Sequence, residues 1–136
     1  MMKKLTVEAN IDNFDRVLDF VNAELELHGF PPELIPDVDV AVEEVFINIS
    51  TYAYHPRSGD VTLHISVGEE ATIIFVDEGI PFNPLEVAPP DLDKPLMDRE
   101  IGGLGILFVR QIMDDVAYSY SGGENILTMK KRGCVS

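Results

Sequence analysis

The sequence predicts an α+β fold, a two-layer sandwich in which helices cover one face of a β-sheet. The predicted elements follow the order β-α-α-β-β-loop-α-β-β, so strands come in neighbouring pairs and helices stand apart, which is typical of α+β rather than doubly wound sheets. The chain has 136 residues, of which 46% are hydrophobic. That length supports one core but not two, so we expect a single domain over residues 1–136.

The first half of the chain predicts one strand followed by two helices. Polar and apolar residues alternate over 3–9, which indicates a half-buried strand. Asp12 is placed to cap the next helix, whose apolar stripe recurs at helical spacing until Gly29 ends it. A Pro-Pro pair then begins a second helix, and its apolar stripe continues to Tyr52.

The second half predicts four strands and one helix around a long loop. Alternation over 61–67 and an apolar run over 71–76 indicate a hairpin that contains a central strand. Residues 79–105 are rich in proline and end in glycines, and a loop of that length in a compact domain is either functional or disordered. A helical pattern over 104–113 precedes a last hairpin over 116–131.

The composition excludes several classes of protein. With 24 acidic and 10 basic residues the net charge is −14, which should repel nucleic acid and favour a basic protein partner. No stretch reaches the roughly 20 apolar residues that a membrane helix needs, and the N-terminus turns polar too soon for a signal peptide. The single cysteine, Cys134, cannot form an internal disulfide, which indicates a reducing cytoplasm.

Two polar residues interrupt the apolar pattern of the second helix. Asn48 lies within an otherwise apolar stretch, and Glu44 lies one turn earlier, about 40° away around the helix axis. A carboxamide oxygen can be the single protein ligand of Mg²⁺, while a neighbouring carboxylate orients or deprotonates a nucleophile. The alternative is an asparagine bonded to the backbone beside a solvated glutamate.

Two glycine-containing turns add to this pair. Asp77 and Gly79 follow the central strand, where a carboxylate can receive the exocyclic amine of a purine and glycine allows close approach to the ring. Residues 102–105, Gly-Gly-Leu-Gly, open a helix, where free N–H groups form an anion site without lysine. The alternatives are an ordinary strand-ending turn and a flexible hinge. Neither a P-loop nor a Rossmann fingerprint is present.

The order of these features resembles the N, G1 and G2 boxes of the GHKL (Bergerat-fold) ATPases. Glu44-x-x-x-Asn48 comes first, Asp77-x-Gly79 second and Gly103-x-Gly105 third. Within that superfamily, the stretches 41–54, 77–84, 102–114 and 123–131 resemble the anti-sigma-factor serine/threonine kinase branch. The branch commonly has histidine where this chain has Tyr52, so the role of that side chain stays open.

The resemblance implies a role for each matching residue. Glu44 would be the catalytic base, and Asn48 would bind Mg²⁺. Asp77 would bind adenine, helped by Gly79 and Thr128. The residues that wrap the phosphates would be Gly103, Leu104, Gly105 and Ile106.

The resemblance also implies a mixed, mostly antiparallel sheet with helices on one face and a mobile ATP lid at about residues 85–101. Arg99, in that lid, would reach a phosphate, although a surface salt bridge is an equal alternative. The lid itself is acidic.

The implied function is transfer of the γ-phosphoryl group of ATP to a serine or threonine of a STAS-type anti-anti-sigma protein. The same protein would hold a sigma factor, would use ATP/ADP and Mg²⁺, and could form a homodimer through the sheet edge or the first helix. One alternative is a regulator that docks on a partner without catalysis, with or without nucleotide. Another treats Asn48 as a core residue and the glycines as a hinge.

Overall fold

The structure is a computed structural model that describes residues 2–54, 57–81, 83 and 108–133. Within these residues, five strands form one open sheet and two long helices pack on one of its faces. The strands are β1 Lys3–Glu8, β2 Asp60–Val67, β3 Glu70–Asp77, β4 Asp115–Ser121 and β5 Glu124–Arg132. The helices are α1 Phe14–Leu27 and α2 Ile35–Tyr52.

The sheet has the strand order β1-β2-β3-β5-β4. Each of the four pairings between described strands is antiparallel, because β2–β3 and β4–β5 are hairpins and the other two pairs also run in opposite directions. The predicted α+β class is therefore confirmed. The implied sheet was mixed, whereas every pairing in the described part is antiparallel.

The start of α1 differs from the prediction. Asp12 does not cap the helix; instead the Asn10 side chain accepts a hydrogen bond of 2.9 Å from the Asp12 backbone N–H. Asn10 has the extended backbone of an N-cap residue, and it opens a short 3-10 helix, Ile11–Asn13, that runs into α1. The predicted end is confirmed, because Gly29 adopts a positive φ of 69° just beyond the helix.

The core lies between the sheet and the two helices. Buried and half-buried residues alternate along β2, β3 and β5, so one face of each strand is buried against the helices. At the helix interface, Phe14 of α1 stacks on Phe46 of α2 with ring centroids 6.2 Å apart. The core side chains from the sheet are Val7, Val61, Leu63, Ile65, Ala71, Ile73, Phe75, Leu127 and Met129.

The structure describes residues 108–113 of the helix predicted over 104–113, and 108–112 are helical. Lys131 of β5 holds its end, since its Nζ donates a hydrogen bond of 2.5 Å to the Ile112 carbonyl, and a cation is favourable there. The same ammonium lies 3.6 Å from Asp37 in the first turn of α2. In the described part of the chain, no helix combines the length and the apolar character needed to cross a bilayer.

Ser50 of α2 carries a buried hydroxyl that has no hydrogen-bond partner in the described structure. We expect Ser50→Ala to raise the free energy of unfolding by about 1 kcal/mol, because the unsatisfied group is removed and alanine favours the helix. Urea denaturation measures the change. The exposed neighbour Thr51 supplies the control, since Thr51→Ala changes helix propensity alone. A lower stability for Ser50→Ala than for Thr51→Ala would mean that the hydroxyl has a partner.

Candidate functional site

The predicted Glu44 and Asn48 lie on one flank of α2, beside its buried stripe. That stripe consists of Val38, Ala41, Val42, Val45, Phe46 and Ile49. Both polar side chains are half-buried, and among the described residues neither makes a hydrogen bond. Tyr52, one turn further on, is 41% exposed. The flank therefore presents a carboxylate and a carboxamide with unused hydrogen-bonding capacity.

This flank fits the metal chemistry that the sequence suggests. Among the described residues, no group of three or more His, Cys, Asp or Glu side chains is arranged to hold a metal ion. The sequence predicts that a magnesium ion at this flank would take the Asn48 amide oxygen as a single protein ligand. Water and phosphate oxygens commonly fill the other positions around Mg²⁺.

Asp77 lies at the end of β3 and is held by a network that the sequence did not reveal. Its Oδ1 accepts hydrogen bonds from the Gly79 N–H, at 2.9 Å, and from Asn125 Nδ2 on β5, at 3.0 Å. Asn125 Nδ2 also donates to the Ile80 carbonyl at 2.9 Å, and Asn125 Oδ1 accepts from the Tyr118 hydroxyl on β4. Asp77 and Asn125 are each 6% exposed. The site thus has a buried polar centre.

Thr128 does not join Asp77, contrary to what the resemblance implied. Its register partners are Ile74 and Ala117, and it lies on the face of the sheet opposite the helices. Asn125, three residues earlier, is the register partner of Asp77. Side chains along a strand point alternately to the two faces of the sheet. Thr128 lies three residues from Asn125, so its side chain points to the other face.

A sequence signal for Asn125 did exist. Asn125, Leu127 and Met129 are at every second position of β5, so the alternation of side chains places all three on the buried face. A polar residue at a buried position needs a partner, and Asp77 on the neighbouring strand is the partner found.

Gly79 allows the turn after β3 to approach the end of α2. A Cβ added to Gly79 would lie 2.3 Å from the carbonyl oxygen of Ala53, which leaves no room for a side chain. The next residue, Ile80, donates its N–H to that same carbonyl at 3.0 Å. The sequence predicts that Gly79 lets the backbone approach a nucleotide ring; among the described residues, its close approach is to Ala53 at the end of α2.

Tyr54 adds a second connection between these elements. Its hydroxyl donates to the Asp60 carbonyl at 2.6 Å and accepts from the Glu78 N–H at 2.7 Å. The ring packs so closely on Gly59 that a Cβ there would lie 2.3 Å from a ring carbon. The residues that follow α2 therefore bind the turn after β3 at two points, the N–H groups of Glu78 and Ile80.

Two groups at this end of the sheet have shifted acidities. Burial raises the pKa of Asp77 above its ordinary value, and the hydrogen bonds from Gly79 and Asn125 oppose that shift. Burial also raises the pKa of Tyr54, opposed by the hydrogen bond from Glu78 and reinforced by nearby carboxylates. Burial is the largest cause of both pKa shifts, because it disfavours the charged form of each group.

A groove of about 720 Å³ opens at the same end of the sheet, but on a different side from the α2 flank. Among the predicted site residues that the structure describes, it contacts only Asp77; neither Glu44 nor Asn48 lines it. The residues that line it are Thr6, Glu8, Tyr54, Ser58, Gly59, Asp60, Thr62, Val76, Asp77, Glu78 and Glu124. Its carboxylates would repel a triphosphate, so this groove is not the predicted nucleotide cleft.

The remaining predicted positions lie outside the described residues. These are the lid at 85–101, with Arg99, and the phosphate-binding turn. The residues of that turn are Gly103, Leu104, Gly105 and Ile106. Their roles stay predictions from the resemblance.

The close approach of Gly79 to α2 can be tested by adding a methyl group. We expect Gly79→Ala to lower the free energy of unfolding by about 1–3 kcal/mol, because the Cβ would overlap the Ala53 carbonyl. Gly68→Ala is the matched control, since a Cβ at Gly68 meets nothing within 4 Å. Chemical denaturation of both variants gives the comparison. Equal stability of the two would show that the turn can move away from α2.

The raised pKa of Asp77 predicts a pH-dependent stability. A carboxyl whose pKa is raised by folding contributes most below its unfolded value, about 4, and loses that contribution as pH rises through the folded pKa. Asp77→Asn cannot ionise. The difference in unfolding free energy, variant minus wild type, should therefore increase from about pH 4 to 7. Urea titrations across that range measure it, and a decreasing difference would contradict the sign.

Comparison with known proteins identifies relatives of this chain. The sequence profile of a family described as "Histidine kinase-like ATPase domain" matches residues 7–131. A protein named serine-protein kinase RsbW from Bacillus mycoides (strain KBAB4) is 30% identical over 107 residues, which cover 75% of this chain and 67% of that protein. The protein of the same name from Bacillus cereus (strain B4264) is 31% identical over the same shares.

Solved structures show the same fold. The structure of the RsbU and RsbW domains of a Mycobacterium tuberculosis protein matches with a TM-score of 0.69 and 15% identity over 97% of this chain. This chain spans 32% of that larger protein. A histidine kinase domain from Erythrobacter litoralis matches with a TM-score of 0.58 and 21% identity, over 89% of this chain and 59% of the other. On the strength of the profile match, this chain belongs to the histidine kinase-like ATPase domain family.

Proposed function

We propose that this chain is an ATP-dependent serine/threonine protein kinase that phosphorylates a STAS-type anti-anti-sigma protein and binds a sigma factor. One observation carries the proposal. Glu44 and Asn48 stand one turn apart on a half-buried flank of α2, with no hydrogen bond to another described residue. The relatives named serine-protein kinase support the reaction class.

In this proposal, the Glu44 carboxylate acts as the general base. The hydroxyl oxygen of the target serine or threonine attacks the γ-phosphorus, and its proton passes to Glu44. The bond between the γ-phosphorus and the bridging oxygen breaks, and ADP leaves. Glu44 suits the role because it is half-buried and has no described partner that would compete for its oxygens.

Asn48 would hold Mg²⁺ through its amide oxygen. When bound, the ion supplies positive charge that screens the phosphate oxygens. Such screening matters in a chain with a net charge of −14. The backbone N–H groups of 103–106 and Arg99 of the proposed lid would supply the remaining positive potential around the phosphates.

Asp77 would receive the exocyclic amine of adenine. Its Oδ1 is already engaged by Gly79 and Asn125, whereas no described residue donates to Oδ2. Thr128 lies on the other face of the sheet and has no part in the proposal. Gly79 would contribute by keeping the turn after β3 against α2.

We further propose that residues 1–136 form one domain, and that the protein is cytoplasmic and binds neither nucleic acid nor membrane. The acidic composition and the single cysteine support this. A homodimer formed through the edge of the sheet or through α1 belongs to the same proposal, by resemblance to the kinase branch.

The base role predicts a separation of nucleotide binding from phosphoryl transfer. We expect Glu44→Gln to bind MgATP within about twofold of wild type and to lose phosphotransfer by about 10²–10⁴-fold. Calorimetry measures the first quantity. Transfer of labelled phosphate to a STAS-type anti-anti-sigma protein measures the second.

Glu43→Gln is the matched control, because Glu43 is the adjacent residue and is exposed. It should leave both quantities unchanged. Normal turnover by Glu44→Gln would rule out the base role. If the wild type binds MgATP but transfers no phosphate, the chain is instead a regulator that binds nucleotide without catalysis.

A further inference from the structure

The Asp77 network continues to a third residue that has no role in the proposed reaction. Tyr118 of β4 donates its hydroxyl to Asn125 Oδ1, and Asn125 Nδ2 donates to Asp77 Oδ1 at 3.0 Å. The three residues come from three adjacent strands, in the spatial order β4, β5 and β3. Tyr118 is half-buried and packs against the core, so its position is set by the sheet.

Hydrogen bonds at both ends of the Asn125 amide fix which way it points. Its Oδ1 accepts from the Tyr118 hydroxyl. Its Nδ2 donates to Asp77 Oδ1 at 3.0 Å, to the Ile80 carbonyl at 2.9 Å and to the Gly79 carbonyl at 3.3 Å. Carboxylate and carbonyl oxygens cannot donate, so a flipped amide would lose all three of these bonds.

The amide orientation in turn decides what Asp77 can offer a ligand. Oδ1 already accepts from the Gly79 N–H and from Asn125, which uses both of its lone pairs. Oδ2 accepts from no described residue. Asp77 therefore presents one acceptor oxygen rather than two.

Adenine and guanine differ in how they meet a carboxylate. Guanine carries two neighbouring donors, at N1 and at the 2-amino group, and these pair with both oxygens of a free carboxylate. Adenine carries a single exocyclic amine next to an acceptor nitrogen, and it needs only one oxygen. A carboxylate with one oxygen already engaged favours the adenine pattern.

We propose that Tyr118 is a positioning residue for base selectivity, which acts by holding Asn125 so that Asp77 discriminates adenine from guanine. The inference rests on the proposed nucleotide site. Without the hydroxyl, Asn125 Oδ1 loses its bond from Tyr118, so turning the amide away from Asp77 costs less than in the wild type. When the amide turns away, the Gly79 N–H keeps one lone pair of Asp77 Oδ1, and the other becomes available to a base beside Oδ2.

The test is Tyr118→Phe, which removes one oxygen and keeps the ring in the core. Calorimetric dissociation constants for MgATP and MgGTP are measured on the full chain. We expect the wild type to prefer MgATP and Tyr118→Phe to reduce the ratio of GTP to ATP dissociation constants by about tenfold. Purine riboside triphosphate, which lacks the exocyclic amine, should bind the wild type more weakly than ATP.

Tyr120→Phe is the matched control. Tyr120 lies two residues along β4, is 47% exposed, and makes no hydrogen bond to the described residues through its hydroxyl. Its variant should keep the wild-type ratio. A merely structural role of Tyr118 would weaken both nucleotides equally and leave the ratio unmoved.

The outcomes separate this inference from the proposed function. An unchanged ratio in Tyr118→Phe, with ATP still bound, overturns the role of Tyr118 and leaves the kinase proposal intact. Equal dissociation constants of the wild type for ATP and GTP would also overturn the role of Tyr118 and leave the kinase proposal intact. A wild type that binds no nucleotide overturns both.

Discussion

The arrangement of the site depends on how the turn after β3 is held against the end of α2. The Ala53 carbonyl accepts the Ile80 N–H at 3.0 Å, and Gly79 leaves no space between the two segments. On the other side, Asn125 donates to the Ile80 carbonyl at 2.9 Å. The turn is thus bonded to a helix and to a neighbouring strand at once. These contacts hold the helix flank that carries Glu44 and Asn48 in a fixed relation to Asp77.

The same contacts explain why Asp77 can be buried at the end of a central strand. A buried carboxylate without partners would cost several kcal/mol, and here a backbone N–H and a carboxamide satisfy one of its oxygens. The raised pKa shows that burial still outweighs those two bonds. The Asp77 carboxyl thereby lies in a buried environment, where a hydrogen bond is stronger than in water.

Short-range interactions can offset the net negative charge of the chain. A net charge of −14 opposes a triphosphate at long range, but salt screens exposed charges beyond roughly 8–10 Å. Local donors and a bound cation act at shorter distances and in a less polar environment. An acidic protein can therefore hold a nucleotide while it repels nucleic acid and attracts basic surfaces of other proteins.

The sequence by itself determined most of the elements and the fold class, whereas the roles of the site residues stay predictions. Helical spacing located α1 and α2, and alternation located the strands of both hairpins, because burial on one face imposes those periods directly. The order of Glu44-Asn48, Asp77-Gly79 and the glycine-rich turn pointed to a family to which the chain does belong. The predicted N-cap, Asp12, lies two residues after the observed one, Asn10, because both residue types are good caps and the backbone geometry decides between them.

Only the tertiary structure decided which residues meet at the site. Asn125 is 48 positions from Asp77 along the chain, and no local pattern specifies that β5 lies beside β3 or in which register. Thr128 and Asn125 are equally plausible as polar residues of the last strand. The pleat of the sheet sends them to opposite faces, and the register places only Asn125 beside the carboxylate. Pairing between distant strands is a property of the folded sheet, so the partner of Asp77 emerges only when the sheet is assembled.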